Sequence, residues 1–450
     1  MEKKKKNNRQ NNQSGKQQDR KPILLQAPKG MHDILPHDAF YWEKIKKILK
    51  NIADAYGFEF IDTPVLERAE LFARGIGATT DIVEKEMYLV KTKSKEVLAL
   101  RPEFTAPIIR SYFEQGMSRW SQPVKLYYFG PVFRHENPQA GRFRQFHQAG
   151  FEIVGDSADP VYDVLSILAG WRFLEELKIA DLSVEINSIG CRNCRPTFKK
   201  RLQDYYRKQI NSAKKKRAVC RDCDRRLLTN HLRLLDCKNE ICQPIKKGAP
   251  TMLDHLCSSC RSHFKEVLEI LEETAIVYRL NSYLVRGFDY YSRTVFEFFK
   301  KGDNSALGGG GRYDYLGEFL GKKSVPAVGA AFGIERIIHC LKEQNLSSDN
   351  QKKPRIFLAC IGDAAKKKTI SLMEDLRKSN IRFAESLGKD SLHAQLKAAH
   401  REKSPFTLII GQKEVYEENI IVRDMISGIQ ETIPVKKIIE TMKKKLQKLK

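Results

Sequence analysis

Three Cys-x-x-Cys pairs, Cys191/Cys194, Cys220/Cys223 and Cys257/Cys260, and the wider pair Cys237/Cys242 crowd into one stretch of a 450-residue chain. Zinc is held by four converging ligands, and each close pair offers two sulfurs from a single turn, so eight cysteines suffice for two tetrahedral sites. In a long chain of a reducing compartment, paired cysteines of this spacing bind metal more often than they form disulfides. The pattern therefore predicts an insertion over residues 191–278 stapled by structural Zn2+. Reduced, buried cysteines are the alternative, and spacing alone leaves the number of metals open.

Hydrophobic periodicity gives the elements around that stretch. Trp42, Ile45, Ile48, Leu49 and Ile52 fall on one face of a helix. Val124 to Phe133 and Phe146 to Val154 read as strands, and Asn137-Pro138-Gln139-Ala140-Gly141 between them reads as a hairpin-like connection of an antiparallel sheet. Inside the insertion, Phe264, Val267, Leu268 and Leu271 mark a helix. Strand-like sequence resumes from Leu284 to Phe299, and Ile334, Ile337, Ile338 and Leu341 mark a closing helix. The polar run 344–353 is a linker. Beyond it come a strand at Ile356 to Cys360, a helix with Leu372 and Leu376, a short strand at Ile381, another helix, and strands at Phe406 to Ile410 and Ile420 to Val422, which together predict a small α/β domain. Residues 1–21 are dominated by Lys, Asn and Gln and read as a disordered basic tail.

Lys plus Arg exceed Asp plus Glu by 80 − 55, a formal charge of +25 that attracts polyanions at long range and favours a nucleic-acid partner. Charge alone names no substrate, because ribosomal and chromosomal proteins are basic too. No window reaches the ~18–20 apolar residues of a membrane span, and the N-terminus lacks a secretory apolar stretch, so the expectation is a cytoplasmic protein without a membrane partner.

Several residues carry chemistry. Arg134 and Glu136 stand two apart at a strand end, so that a guanidinium suited to phosphate and a carboxylate suited to an amino group or metal share one side. A surface cross-strand pair is the bland alternative. Gln148 and Glu152 share a face four residues apart, fit to read a small polar ligand or to be a satisfied core amide and an edge carboxylate. Arg286 and Asp289 flank Gly287 ahead of Tyr290 and Tyr291. Gly308 to Gly311 would weaken an ordinary strand, which points to close approach of backbone to ligand. No Gly-Lys-Ser/Thr follows, so they are not a phosphate loop. Arg336 lies off the apolar stripe that begins at Ile334, where a helical arginine is ordinarily just solvated.

Taken together, these segments resemble the histidyl-tRNA synthetases, from Lys29 to the C-terminus. Lys29-Gly30-Met31-His32-Asp33-Ile34-Leu35-Pro36 is similar to the family's opening, and Thr63-Pro64 with Glu67 to class II motif 1, which in the family builds the dimer interface. Leu100-Arg101-Pro102-Glu103 with Thr105 resembles the amino-acid-binding loop, Phe133-Arg134-His135-Glu136 motif 2, and Gly333-Ile334-Glu335-Arg336 motif 3. Leu284 to Tyr291 and Gly310 to Asp314 resemble the two histidine-specific signatures. Ser391 to Ala399 and Leu408 to Glu414 resemble the anticodon-binding domain. Phe104 stands where the family usually has Gly, and His32 where it often has Arg.

The resemblance implies an α+β class II synthetase catalytic domain, an antiparallel sheet with flanking helices, over 22–190 and 279–343, with the helical Cys-rich insertion at 191–278 and a C-terminal α/β anticodon-binding domain at 354–450. It implies a homodimer that activates L-histidine with ATP and Mg2+ and passes it to tRNA-His. Arg134 and Arg336 are then expected on the ATP phosphates, Glu136 near adenine and Mg2+, and Arg286 against the α-phosphate. Glu103, Thr105 and Gln148 are expected to hold the α-amino group, and Glu152, Tyr290, Tyr291 and Tyr313 the imidazole. Gln139, Arg142 and Arg144 are candidates for the extra 5′ guanosine of the acceptor end, with plain phosphate positioning as the alternative. A zinc-stapled insertion would clasp the acceptor arm. The competing assignments are a histidine-binding regulatory paralogue without charging activity and a pure RNA-binding module. Such paralogues generally lack the C-terminal domain and degrade the histidine signatures, whereas an RNA-binding module gives the pocket residues no purpose.

Overall fold

The computed structural model describes residues 25–78, 80–136, 141–212, 218–303, 305–344 and 355–448. The basic tail, Gln139 with its neighbours 137–140, and nearly all of the polar linker lie outside the described residues. The chain divides into two compact units, 1–346 and 347–450.

The first unit is built on an eight-stranded sheet. In spatial order its strands are Glu59–Phe60, Val124–Phe133, Gln145–Val154, Ala327–Gly333, Gly308–Arg312, Ser292–Lys300, Leu182–Ser188 and Tyr278–Leu280. The six central strands pair antiparallel, while each edge strand pairs parallel to its neighbour. In Val124–Phe133 fully and partly buried residues alternate along the strand. In Gln145–Val154, Ala149, Phe151 and Ile153 join a core formed with the helices Ala39–Tyr56, Pro160–Glu176 and Ile334–Glu343. Gln148, Gly150 and Glu152 point the other way, as the two-residue period requires. Sequence sets the helix ends. Asp159 caps the second helix by accepting from the Val161 amide at 2.9 Å with Pro160 in the first turn, and Gly57, at φ 70°, takes the left-handed position that ends the first. The second helix lies close on the sheet, because a Cβ at Gly170 would stand 2.7 Å from ring carbons of Phe298 and Phe332.

Two expectations for this unit need correction. The strand expected from Leu284 begins only at Ser292, because residues 284–291 form an irregular, turn-containing segment around Gly287. Asn187 fixes that segment by donating to the Ser282 and Leu284 carbonyls at 3.2 and 2.9 Å. The four glycines do form a strand, and a central one. Their neighbours explain it, since a Cβ at Gly310 would stand 1.9 Å from the Gly329 carbonyl and one at Gly309 2.6 Å from the Arg286 guanidinium. Close approach is the reason for them, to adjacent strands and to a protein side chain, and this outweighs their poor strand propensity.

A second, three-stranded sheet joins Leu66–Arg68, Val97–Leu100 and Leu89–Lys91. The Cys-rich stretch forms the helices Arg195–Ser212, Arg221–Thr229, Gln243–Lys247 and Ser258–Glu272 with short turns between them. Its buried cysteines share one apolar cluster with Phe104, Tyr128 and Tyr291.

The second unit is a five-stranded sheet in the order Phe383–Glu385, Ile356–Cys360, Phe406–Ile410, Asn419–Asp424 and Gln430–Pro434. The first three strands run parallel and the last two antiparallel. The strand expected at Ile381 lies at Phe383–Glu385. Asn380, at φ 54°, closes the preceding helix, and the Ile381 amide still donates to the Leu376 carbonyl. Gln395, fully buried, ties its helix to the strand Ile356–Cys360 by accepting from the Cys360 amide at 3.0 Å and donating to the Cys360 carbonyl at 2.7 Å. No helix among the described residues is long and apolar enough to cross a membrane.

Candidate active site

The face of the large sheet opposite the long helices opens into a cavity of about 540 Å³. Arg134, Arg286 and Arg336, which come from three distant segments, all line it. Arg134 follows the end of its strand, where its Nε donates to the Pro102 carbonyl at 3.0 Å and its guanidinium lies between the rings of Phe146 and Phe288. Arg336 sits in the first turn of Ile334–Glu343 and donates to the Ala306 carbonyl at 2.6 Å. Arg286 pairs with Glu297, lies over Gly309, and keeps its buried Nε without a partner. Glu136 and Glu86 also face the cavity. Burial, together with the charge of Glu136, holds Glu86 above the usual carboxylate range.

Beside the arginines lies a polar recess lined by Glu103, Thr105, Tyr128, Gln148, Tyr290 and Tyr291. Glu103 accepts from the Thr105 and Ala106 amides at 2.6 and 2.9 Å, the open end of the helix Thr105–Glu114. Behind them Glu152 accepts from the Thr105 hydroxyl at 2.9 Å and from the Tyr313 hydroxyl. Burial is the main force on this carboxyl, and Glu103 adds to it. The two hydroxyl bonds offset them only in part, so the pKa is pushed up to about 8. Gly329 makes the space, because a Cβ there would stand 1.7 Å from Glu152 Oε2. The Gln148 Oε1 and the Tyr128 hydroxyl are buried without partners. Glu152 and Tyr313 do not line the recess and stand behind Thr105, while the other residues expected around histidine line it directly.

Of the three acceptor-end candidates, Arg142 lines the cavity mouth, half exposed, and reaches Glu136 at 3.2 Å. Arg144 stands outside the cavity, with its Nε on the Glu136 carbonyl at 3.2 Å and its amide on Gly30 at 2.7 Å. Gln139 lies outside the described residues. Phe104 stacks on Tyr128 at 4.2 Å and under the Arg101 guanidinium at 3.9 Å, so its ring fills core. Its φ of −105° is open to any residue, which lets a bulky side chain take that position.

The cysteines gather in two tetrads, Cys191/Cys194/Cys257/Cys260 and Cys220/Cys223/Cys237/Cys242, with the sulfurs of each within 4.8 Å of one another. Neighbouring sulfurs stand at 3.6 and 3.9 Å in the first and at 3.8 and 3.7 Å in the second. A disulfide needs about 2 Å. A tetrahedron with Zn–S of about 2.3 Å has an edge of roughly 3.8 Å, so both tetrads suit a zinc ion. Backbone amides of Cys257 and Cys220 donate to Cys194 and Cys242 sulfurs at 3.1 and 3.2 Å, as thiolates favour.

Sequence reasoning passed over several lining residues. Glu297 meets Arg286 across a turn, and Asp81, Arg226 and Arg233 meet at the mouth from segments far apart in the chain. Glu335 accepts from the His147 amide at 2.9 Å and meets its Nδ1 at the same distance. The one local signal was Glu335 itself, a carboxylate in the first turn of a helix.

With that geometry in place, likenesses to known proteins carry weight. The family model of histidyl-tRNA synthetase matches residues 30–337, and that of the anticodon binding domain matches residues 355–445. The histidine–tRNA ligase of Dehalococcoides mccartyi is 44% identical over 425 residues, 94% of this chain and 100% of its own length. That of Desulfitobacterium hafniense is 41% identical over 425 residues, 94% of this chain and 99% of its own. The crystal structure of apo histidyl-tRNA synthetase from S. aureus superposes with a TM-score of 0.75 at 31% identity, covering 93% of this chain and 100% of that one. The chain belongs to the histidyl-tRNA synthetase family.

Proposed function

We propose that this chain activates L-histidine with ATP, forming histidyl-adenylate and pyrophosphate, and then passes the histidyl group to the 3′ end of tRNA-His, releasing AMP. The observation that carries this is the convergence of Arg134, Arg286 and Arg336 on one cavity whose polar recess is backed by Glu152 through the Thr105 hydroxyl. Three guanidiniums in a partly enclosed site offset the charge of a triphosphate and of the five-coordinate phosphorus formed as the histidine carboxylate attacks. In this reading Arg286 lies against the α-phosphate, and Arg134 and Arg336 bind the α- and γ-phosphates. Glu136, with Glu86 beside it, would meet adenine and hold the Mg2+ that arrives with ATP. That ion supplies further charge compensation for the leaving pyrophosphate.

Glu103, Thr105 and Gln148 take the α-amino group and its surroundings. The imidazole rests against Tyr290 and Tyr291 and is read by Glu152 and Tyr313. Once ionised, Glu152 accepts one hydroxyl at each oxygen and keeps a second lone pair there for an imidazole N–H. An apolar competitor would leave these buried groups and the Gln148 Oε1 unpaired, which is the means of strong discrimination.

We assign the acceptor end to Gln139, Arg142 and Arg144, the anticodon to 354–450, and the grip on the acceptor arm to the insertion at 191–278, with Zn2+ in both cysteine tetrads. We assign the catalytic role to 22–190 and 279–343. We further propose a homodimer, formed through the three-stranded sheet that exposes Leu66, Leu89, Val90 and Val97 beside Glu67. The test is ATP–pyrophosphate exchange with each proteinogenic amino acid in turn, followed by charging of total tRNA. Exchange driven by histidine alone, with a histidine-specific charged product, is expected. Exchange indifferent to histidine, or histidine binding without charging, rejects the proposal.

A further inference from the structure

The second tetrad lies in sequence beside residues that reach the cavity. Its Cys220-Arg-Asp-Cys223 turn starts the helix Arg221–Thr229, which carries Arg225 and Arg226. The short helix His231–Leu234, which carries Arg233, runs into Cys237. All three guanidiniums converge on Asp81, at 2.9 Å from Arg225, 3.4 Å from Arg226 and 3.3 Å from Arg233. Burial alone would raise this carboxyl, yet the three arginines hold it below the ordinary range. Asp81, Arg226 and Arg233 all line the cavity.

The same turn also reaches the Arg286 segment directly. Arg233 donates to the Gly287 carbonyl at 3.1 Å, and Asn230 donates to Asp289 Oδ1 at 2.8 Å. On the other side the Asp289 amide donates to the Ile76 carbonyl at 3.0 Å, and a Cβ at Gly77 would stand 2.4 Å from Asp289 Oδ2. Residues 287–289 are therefore gripped between Ile76 and Gly77 on one side and the cysteine-held turn on the other. Arg286 stands immediately before them, bonded to Glu297 and with its Nε unpartnered.

We propose that the metal-loaded tetrad Cys220/Cys223/Cys237/Cys242 is a positioning element for adenylate formation, holding the arginine turn that clasps Asp81 and thereby aims Arg286. The inference rests on the reading of the cavity as the site of histidine activation. It assigns Asp81, Asn230 and Arg225 as positioning residues. A misaimed cation leaves ground-state binding of histidine nearly untouched and slows the chemical step, because a displacement of about 1 Å is enough to cost rate.

The experiment uses the full chain, histidine-dependent exchange kinetics, metal analysis and thermal melting. Parent protein is expected to hold about two zinc ions per chain, one per tetrad. Asp81→Asn is expected to keep its zinc and melting temperature while kcat falls about tenfold and KM for histidine stays within about twofold. Asp81→Glu should recover most of that kcat, and Asn230→Ala should lose a smaller factor, about threefold, in kcat alone. Cys237→Ser should carry about one zinc fewer and reproduce the Asp81→Asn kinetics.

The clasp is overturned if Asp81→Asn keeps parental kcat, or if its kcat falls only together with zinc content and melting temperature, which marks a merely structural role. Parent enzyme that exchanges normally with no bound metal overturns the part assigned to the metal. Parent enzyme that exchanges with no amino acid sinks the functional reading itself, a failure distinguishable from the other two.

Discussion

Two arginines in the histidine-specific signatures, Arg312 at the end of the strand Gly308–Arg312 and Arg286 in the irregular segment ahead of Ser292–Lys300, are treated by the protein in opposite ways. Arg312 is 1% exposed and meets Asp163, Asp314 at 3.2 Å and the Asp159 carbonyl at 2.9 Å. Burial alone would raise the Asp163 carboxyl, but Arg312 and then His263 pull it down to about 2. Arg286 is more exposed, at 18% of its side chain, with one carboxylate partner, a buried Nε left open and the cavity in front of it. A closed set of partners makes a brace, and an incomplete one in a cavity makes a binding group. A signature shared across a family thus mixes residues that hold the fold with residues that meet the substrate, and hydrogen-bond satisfaction separates the two.

The largest expected effect is on the open side of this contrast. Arg286→Ala should lower histidine-dependent exchange by about 10³-fold while the melting temperature moves by no more than about 3 °C. Exchange within about tenfold of parent would place Arg286 among the braces. The closed side should respond in the other currency. Arg312→Met leaves Asp163 buried beside His263 alone and is expected to cost about 3–5 kcal/mol of unfolding free energy in denaturant titrations. The folded fraction should retain near-parental KM for histidine. The sign in acid follows from the depressed pKa: the parental pair's contribution is complete above the unfolded value of 3.8 and is lost as pH falls through about 2. A variant with parental stability and impaired exchange would reverse the contrast.

The same distinction explains what was legible in the sequence. Trp42, Ile45, Ile48, Leu49 and Ile52 announced the first helix because its burial is a local matter of 3.6-residue spacing. Gln148 and Glu152 announced a shared face because strand alternation is equally local. The order of eight strands was not legible, nor was the partnership of Glu335 with His147, 188 residues away, since these depend on packing between segments that share no spacing. The glycines at 308–311 were a half-legible case: their strangeness was plain, but their fit against Gly329 and Arg286 needed the neighbouring strands. The cysteine spacing forecast convergence, and the partition into two tetrads came from the fold. Asp81, Arg226 and Arg233 were invisible, because a charged residue in a polar stretch is most often solvated and nothing local marks the one that is not.

The smallest expected effect tests the contrast within the recess itself. Glu152 is as buried as Arg312, yet its neighbours are hydroxyls and a second carboxylate instead of a cation, and its pKa stands at about 8 instead of below the usual range. A carboxyl with a raised folded pKa costs nothing below its unfolded value of 4.5 and costs progressively more as pH rises toward 8. Glu152→Gln removes the buried charge while keeping the shape. Its melting temperature relative to the parent should therefore climb between about pH 5 and about pH 9, while KM for histidine rises about tenfold from the weakened bond to imidazole. A melting difference that stays flat with pH would mean that Glu152 is compensated as fully as Arg312, and the recess would then belong to the scaffold. A rising difference joined to a weakened KM shows folding stability given up at the position where the ligand is read.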